Sequence, residues 1–199
     1  MAKTPGTEGY EAHIDAFLAA CDTLEFDTVN ADFLPFLPEP PARVLDLGAG
    51  AGQNAAALVR LGHSVTAVEP LAAFRAAAQE RHADAEIHWI GDSLPELLQV
   101  RGEFDFILVD GVWQHLNEGE QRRALARISA LLARDGRLAI SFRHGPAGAG
   151  TCVYPIDDER QLREAAALGL ERELYLSNQP SLLPNKTAVR WSRALWRRP

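Results

Sequence analysis

The stretch "RVLDLGAGAGQNAA", Arg43–Ala56, decides the fold. An apolar run is broken by one acid, Asp46. Gly48, Gly50 and Gly52 then fall on alternate positions, and alanines follow. A short β-rich run bounded by proline and glycine reads as a buried strand. The alanine-rich run to Arg60 reads as a helix, with Gly62 as its stop. Glycines at such a turn let the backbone approach a ligand closely. The dinucleotide pattern G-x-G-x-x-G/A fails when counted from Gly48, because its last position is Gln53. It fits from Gly50 as "GAGQNA", ending at Ala55. The turn alone therefore leaves three options open: a dinucleotide, another nucleotide-like cofactor, or a merely structural turn.

Outward from this turn the strand-then-helix rhythm repeats. "SVTAVE", "AEIHWIG", "EFDFILVDG" and "RLAISF" read as further strands, and "LAAFRAAAQERH" and "NEGEQRRALARISALLARDG" as helices. "SLPELLQV" reads as a short turn or helix. Asn117 and Glu120 form a capping box. Leu125, Ile128, Leu131 and Leu132 make that helix's apolar stripe, and Gly136 lies just past its expected end. At the N-terminal side, Ile14, Phe17, Leu18 and Cys21 have helical spacing, and the prolines of "ADFLPFLPEPPA" end that helix. At the other side come a glycine-rich loop, "RHGPAGAGTCVYP", and a helix with Asp158 and Gln161 as capping pair. "LERELYLS" and "KTAVRWSRALW" form a closing strand pair.

Five β-then-α units imply an α/β fold: a parallel sheet with helices on both faces. Ligands of such sheets sit beyond the carboxyl ends of the strands. That edge collects the glycine turn, Glu69, Asp92, Asp110 and Arg143.

Composition narrows the function classes. The chain has 199 residues, 47% hydrophobic and 24% charged, with net charge −7, which is ordinary for one globular domain. The acidic balance argues against a nucleic-acid-binding face. The one basic cluster, "RALWRRP", reads as a solubilising tail. Cys21 and Cys152 stand far apart and form no C-x-x-C pair, which fits a reduced, cytoplasmic setting. No signal-peptide core or membrane-length run is visible. No His/Cys/Asp cluster has metal spacing, so no metal is expected. The sequence leaves oligomeric state open.

Three features bear on the ligand. Asp46, two residues before Gly48, would repel a pyrophosphate and suits a cofactor carrying an ammonium group and a sulfonium. Asp92, in "IGDS", can accept from the exocyclic amine of an adenine. No separate catalytic domain of the usual dehydrogenase kind is expected at this length. Glu69 does not discriminate, because ribose hydroxyls occur in either kind of cofactor.

The segments "VLDLGAGAGQNA", "VTAVEP", "IGDSLPEL", "FDFILVDGVWQHL" and "RISALLARDGRLAISF" occur in order over residues 43–142. Here the chain resembles a class I S-adenosylmethionine-dependent methyltransferase, of the small type similar to the ubiquinone/menaquinone-biosynthesis group. The resemblance implies a Rossmann-like, doubly wound, mostly parallel seven-stranded sheet with an antiparallel final strand. It implies an N-terminal helical lid (1–40), a cofactor-binding core (41–142), and a substrate-side loop, helix and strand pair (143–199). It implies S-adenosylmethionine as cofactor, S-adenosylhomocysteine as product, and a small-molecule acceptor. Asp46, Gly48, Ala49 and Gly50 would meet the methionine end, and Glu69 the ribose. Pro70 and Leu71 would flank the adenine, and Asp92 and Ser93 would meet its amine and ring nitrogen. Asp110 would lie under the cofactor, facing the acceptor. The family often has a small or uncharged residue at that position.

Bland readings stand beside these. His115, in "VWQHL", is a candidate general base or a histidine bonded to a neighbouring loop. His144 is a second candidate base. Arg143 could grip an acceptor carboxylate or phosphate, or pair with a local acid. Trp113 walls the pocket or belongs to the core. Tyr10 belongs to the lid. The alternatives are methylation of a nucleic acid or protein, a NAD(P)-dependent oxidoreductase, and a non-catalytic cofactor-binding protein.

Overall fold

A computed structural model describes residues 6–148, 152–183 and 185–199. Seven strands form one sheet: β1 (Arg43–Leu47), β2 (Ser64–Val68), β3 (Ile87–Ile90), β4 (Phe104–Val109), β5 (Leu132–His144), β6 (Glu171–Pro180) and β7 (Arg190–Arg197). Their order is β3-β2-β1-β4-β5-β7-β6. The first five strands pair in parallel, and β7 runs antiparallel to both β5 and β6. This is the expected α/β architecture. The helices are α1 (Ile14–Cys21), α2 (Phe26–Val29), α3 (Gln53–Arg60), α4 (Ala72–Arg81), α5 (Glu118–Leu131) and α6 (Asp158–Ala167). Among the described residues no helix is long and apolar enough to cross a membrane.

The period of two along each strand builds a core on both faces of the sheet. On β4, Ile107 and Val109 join Leu125, Ile128 and Leu131 of α5, while Phe106 and Leu108 join Phe26 and Leu58 on the opposite face. On β1, Leu45 and Leu47 face the α5 side and Val44 the α3 side. Asp46 therefore shares the α3 face with Val44. The same alternation on β5 puts Phe142 on the α5 side and Ala139 on the α3 side. On β7, Trp196 goes to the first and Leu195 to the second.

The capping box at Asn117 forms: its side chain accepts from the Glu120 amide at 3.0 Å, and Glu120 accepts from the Asn117 amide at 2.8 Å. Three local expectations shift. The helix that caps at Asn117 stops at Leu131 and β5 begins at once, so Gly136 is not a helix stop. The β4–β5 register jumps between Phe104↔Leu132 and Phe106↔Arg137, which places Gly136 in a bulge. A Cβ there would lie 2.9 Å from the Ala133 and Phe104 carbonyl oxygens. The cap of α6 is Asp157, which accepts from the Arg160 amide at 3.0 Å, in place of Asp158. Asp158 is drawn instead toward β6, where it accepts from the Tyr175 hydroxyl at 3.0 Å. The basic end is no tail. Ala194, Leu195 and Trp196 are buried in β7, between β5 and β6. Arg197 pairs with Asp135 and Glu171, so its charge is used within the sheet.

Candidate functional site

The carboxyl ends of β2, β1 and β4 are neighbours, and each presents an acid: Glu69, Asp46 and Asp110. The glycine turn between β1 and α3 folds back over them. The amides of Gly48 and Ala49 both donate to the Val68 carbonyl, at 2.8 and 2.9 Å. Gly48 and Gly50 have φ of +74° and +51°, which side chains disfavour. The close approaches that these glycines permit are made by the chain itself. A Cβ on Gly48 would lie 2.4 Å from Val112, and one on Gly50 3.3 Å from the Phe17 ring.

Glu69 is buried and clamps the turn. Its Oε2 accepts from the Gly50 amide at 3.0 Å and its Oε1 from the Leu71 amide at 2.9 Å. Arg75 donates to the carbonyls of Glu69 and Pro70. Burial raises the Glu69 carboxyl above its usual range, partly offset by the two backbone donors. Asp46 is only 1% exposed. Its Oδ2 is buried with no hydrogen-bond partner among the described residues. Burial, then the charge of Asp110, pushes its carboxyl up to about 7. An uncompensated buried carboxylate is costly, and an incoming ammonium group relieves that cost.

Asp110 is held by a polar chain that sequence reading missed. Ser141 donates to Oδ1 at 2.6 Å and in turn accepts from the Gly111 amide at 2.8 Å. Asn54 approaches Oδ2 at 3.5 Å and accepts from the buried Asn30 at 3.2 Å. The signal for these partners is register. Ser141 lies on the α3 face of β5 with Ala139, and Asn54 sits in the first turn of α3.

The N-terminal segment covers this edge. Tyr10 packs edge-on against Phe17, Phe74 and His115, with centroids 5.5, 6.1 and 5.4 Å apart. Tyr10 Oη lies 2.9 Å from His115 Nε2, and His115 Nδ1 lies 2.7 Å from the Cys152 carbonyl. A carbonyl only accepts, so Nδ1 carries the proton and Nε2 accepts from Tyr10. Burial holds His115 below its usual value and lifts Tyr10 to about 12, which keeps the imidazole neutral and the phenol protonated.

The remaining sequence candidates divide by strand face. Arg143 and His144 are adjacent on β5 and point to opposite sides. Burial lowers Arg143, and its electrostatic neighbour is Tyr10 at the covered edge. His144 Nε2 lies 3.2 Å from both Ser192 Oγ and Asp158 Oδ1, on the α6 side of the sheet. That nitrogen is engaged in tying α6 to the sheet. Trp113 is fully buried in the α5-side core, and its indole donates to Gln161 at 3.1 Å. It is a core residue and not a pocket wall. Asp92 accepts from the amides of Ser93 at 2.8 Å and Gln99 at 2.6 Å, so it anchors its own loop.

A methyltransferase-domain family model matches residues 44–136. A Synechococcus protein without an assigned function is 36% identical over 132 residues, 63% of this chain and 29% of that protein. An uncharacterised methyltransferase of Mycobacterium tuberculosis is 34% identical over 97 residues, 49% of this chain and 48% of the relative. The chain thus spans less than half the length of these curated relatives. In structure, it is similar to the 1,6-didemethyltoxoflavin-N1-methyltransferase of Burkholderia thailandensis, solved with that compound and S-adenosylhomocysteine. The TM-score is 0.74 at 22% identity, over 100% of this chain and 92% of that one. The methyltransferase-domain model thus matches residues 44–136, and the chain shares its Rossmann-like fold with a solved S-adenosylhomocysteine-bound methyltransferase.

Proposed function

We propose that this protein transfers a methyl group from S-adenosylmethionine to a small-molecule acceptor. The observation that carries this reading is Asp46: a buried carboxylate oxygen without a partner among the described residues, under a glycine turn and flanked by two further acids. That donor set suits a ligand bearing an ammonium and a positively charged sulfur, and it disfavours a pyrophosphate. Asp46 with Gly48, Ala49 and Gly50 would hold the amino-acid end. Glu69 keeps lone pairs for ribose hydroxyls beyond its two backbone bonds. Pro70 and Leu71 would flank the base, with Asp92 and Ser93 at its edge. The bound cofactor supplies an already activated methyl group.

The protein's own contribution is to bind, orient and exclude water. The Tyr10–Phe17 segment acts as the lid over the glycine turn. Asp110, fixed by Ser141 and Asn54, faces the acceptor. A base is needed only where the nucleophile arrives protonated. His115 is the better placed of the two histidines, because it lies with Tyr10 at the covered edge while His144 lies on the α6 side of the sheet. Its Nε2 accepts from Tyr10 and Gln114 and would take a substrate proton once an acceptor displaces these donors. The neighbour solved with a small heterocycle supports a small acceptor, as does the acidic net charge. Calorimetric titration with S-adenosylhomocysteine and with NADH tests the reading. Binding of the first alone is expected, and binding of NADH alone would overturn it.

A further inference from the structure

Resting on that methyl-transfer reading, we propose that the cavity beside Asp110 receives the acceptor as a neutral planar ring whose carbonyl oxygen is held by Arg193. The cavity has a volume of about 270 Å³, which suits a one- or two-ring molecule. It opens on Asp110 and Gly111 at the end of β4, and Trp191 and Arg193 of β7 line it. In the antiparallel register, the start of β7 and the end of β6 lie at the carboxyl edge of β5, next to the proposed methyl-transfer site.

Arg193 decides the chemistry. Its side chain is 9% exposed and its Nε lies 3.3 Å from Asp32 Oδ2. Its Cζ stands 5.3 Å from the Phe33 ring centroid, so the guanidinium is held in place. Its Nη1 is buried with no hydrogen-bond partner among the described residues. A guanidinium only donates, so the missing partner is an acceptor atom. Asp32 already balances its charge. A carboxylate would add a third negative charge beside Asp32 and Asp110, whereas a carbonyl oxygen satisfies the donor without adding one.

The rest of the wall is mixed, with Leu24, Val29, Leu182 and Leu183 offering apolar surface between polar side chains such as Gln53 and Gln179, which fits the apolar body and polar rim of a heterocycle. The Trp191 indole lines the cavity, with the end of its ring 3.8 Å from where a Cβ on Gly111 would stand, an aromatic surface against which a ring can pack. At the Asp110 end, Oδ1 accepts the short Ser141 bond, while Oδ2 has only the long contact to Asn54. Oδ2 is thus the less engaged oxygen, open to an N–H or O–H of the acceptor. Trp191 and Arg193 both lie in the closing-strand segment "KTAVRWSRALW", and Arg193 opens the basic cluster "RALWRRP", so nothing in the sequence marks either as a site residue.

The test is an NMR titration of the ¹⁵N-labelled full chain at pH 6.5 with three probes. These are lumazine (neutral, two rings, two carbonyls), 2-naphthoate (anionic) and quinoxaline (two rings, no carbonyl). The readout is the Trp191 indole N–H, assigned with Trp191→Phe. Lumazine is expected to shift it and to bind at least tenfold tighter than either other probe. Arg193→Met is expected to weaken lumazine about tenfold. Asp32→Asn, which retains the guanidinium, is expected to improve 2-naphthoate relative to lumazine, and it decides the matter should Arg193→Met not fold. Equal binding of the three probes, no lumazine binding, or a preference unchanged in the folded variants overturns the proposal. S-adenosylhomocysteine binding is measured on the same samples. Its absence overturns the proposed function, whereas its presence with failed probes overturns only the cavity assignment.

Discussion

Replacing Asp46 with asparagine should stabilise the ligand-free protein, and increasingly so as the pH rises. Asp46 is 1% exposed, and its carboxyl is pushed from the usual 3.8 to about 7, by burial first and by Asp110 second. The Ala55 amide pulls the other way without cancelling the shift. Between these two values the folded state keeps the proton and the unfolded state has lost it. Stability is therefore full below about pH 4 and falls as the pH rises through about 7. Each pH unit in that window costs about 1.4 kcal/mol, so between pH 5 and pH 8 the wild type should lose about 3 kcal/mol relative to Asp46→Asn. For a chain of this size that corresponds to about 6–12 °C in Tm. Asparagine keeps an oxygen to accept from Ala55 and removes the titration. Glu69 titrates in both proteins and drops out of the difference to first order. Thermal melts of both proteins without ligand, at each pH unit from 5 to 8, measure the gap. A Tm difference that stays constant over this range would refute the reasoning.

Two further perturbations separate structural from site roles. Asn117→Ala removes the capping box of α5 and should cost about 1 kcal/mol, or about 2–4 °C in Tm, at every pH tested; an unchanged Tm would show that the cap carries no weight. His144→Leu breaks the contacts to Asp158 and Ser192 on the α6 side. Burial alone would raise the Asp158 carboxyl, but its bonds from His144, Ser192 and Tyr175 outweigh burial and leave it below its usual range. The variant should melt lower, yet bind S-adenosylhomocysteine within twofold of wild type in a calorimetric titration. A tenfold loss of affinity would place His144 at the cofactor after all.

Much of the fold is legible in the chain because its signals are local. Apolar runs bounded by glycine and proline fix the strands, and Asn117 with Glu120 fixes a helix start. The segment Ala133–Gly136 misled because "ARDG" looks like the end of a helix. Long-range pairing to β4 and to the C-terminal end converts it into a bulge, as the Asp135 amide donating to the Arg198 carbonyl at 2.7 Å shows. "RALWRRP" misled for a related reason. Its arginines look solvated in sequence, but the partners that absorb their charge lie far away in the chain.

The site divides along the same line. The sequence by itself determined which acids stand at strand ends, because a strand end is a local event. Asp46, Glu69 and Asp110 needed only the β-then-α rhythm to be grouped. Tertiary structure decided which side chains share a face. Arg143 and His144 are neighbours in sequence, yet the two-residue period of β5 sends them to opposite sides of the sheet. Trp191 and Arg193 are distant from Asp110 in sequence, yet antiparallel pairing brings β7 to the same edge. Packing against Phe142 and the bond to Gln161 turned Trp113 from a candidate pocket wall into core, and strand register made Ser141 the hydrogen-bond donor that fixes Asp110. Register depends on contacts between residues far apart in the chain, so no local pattern could supply it.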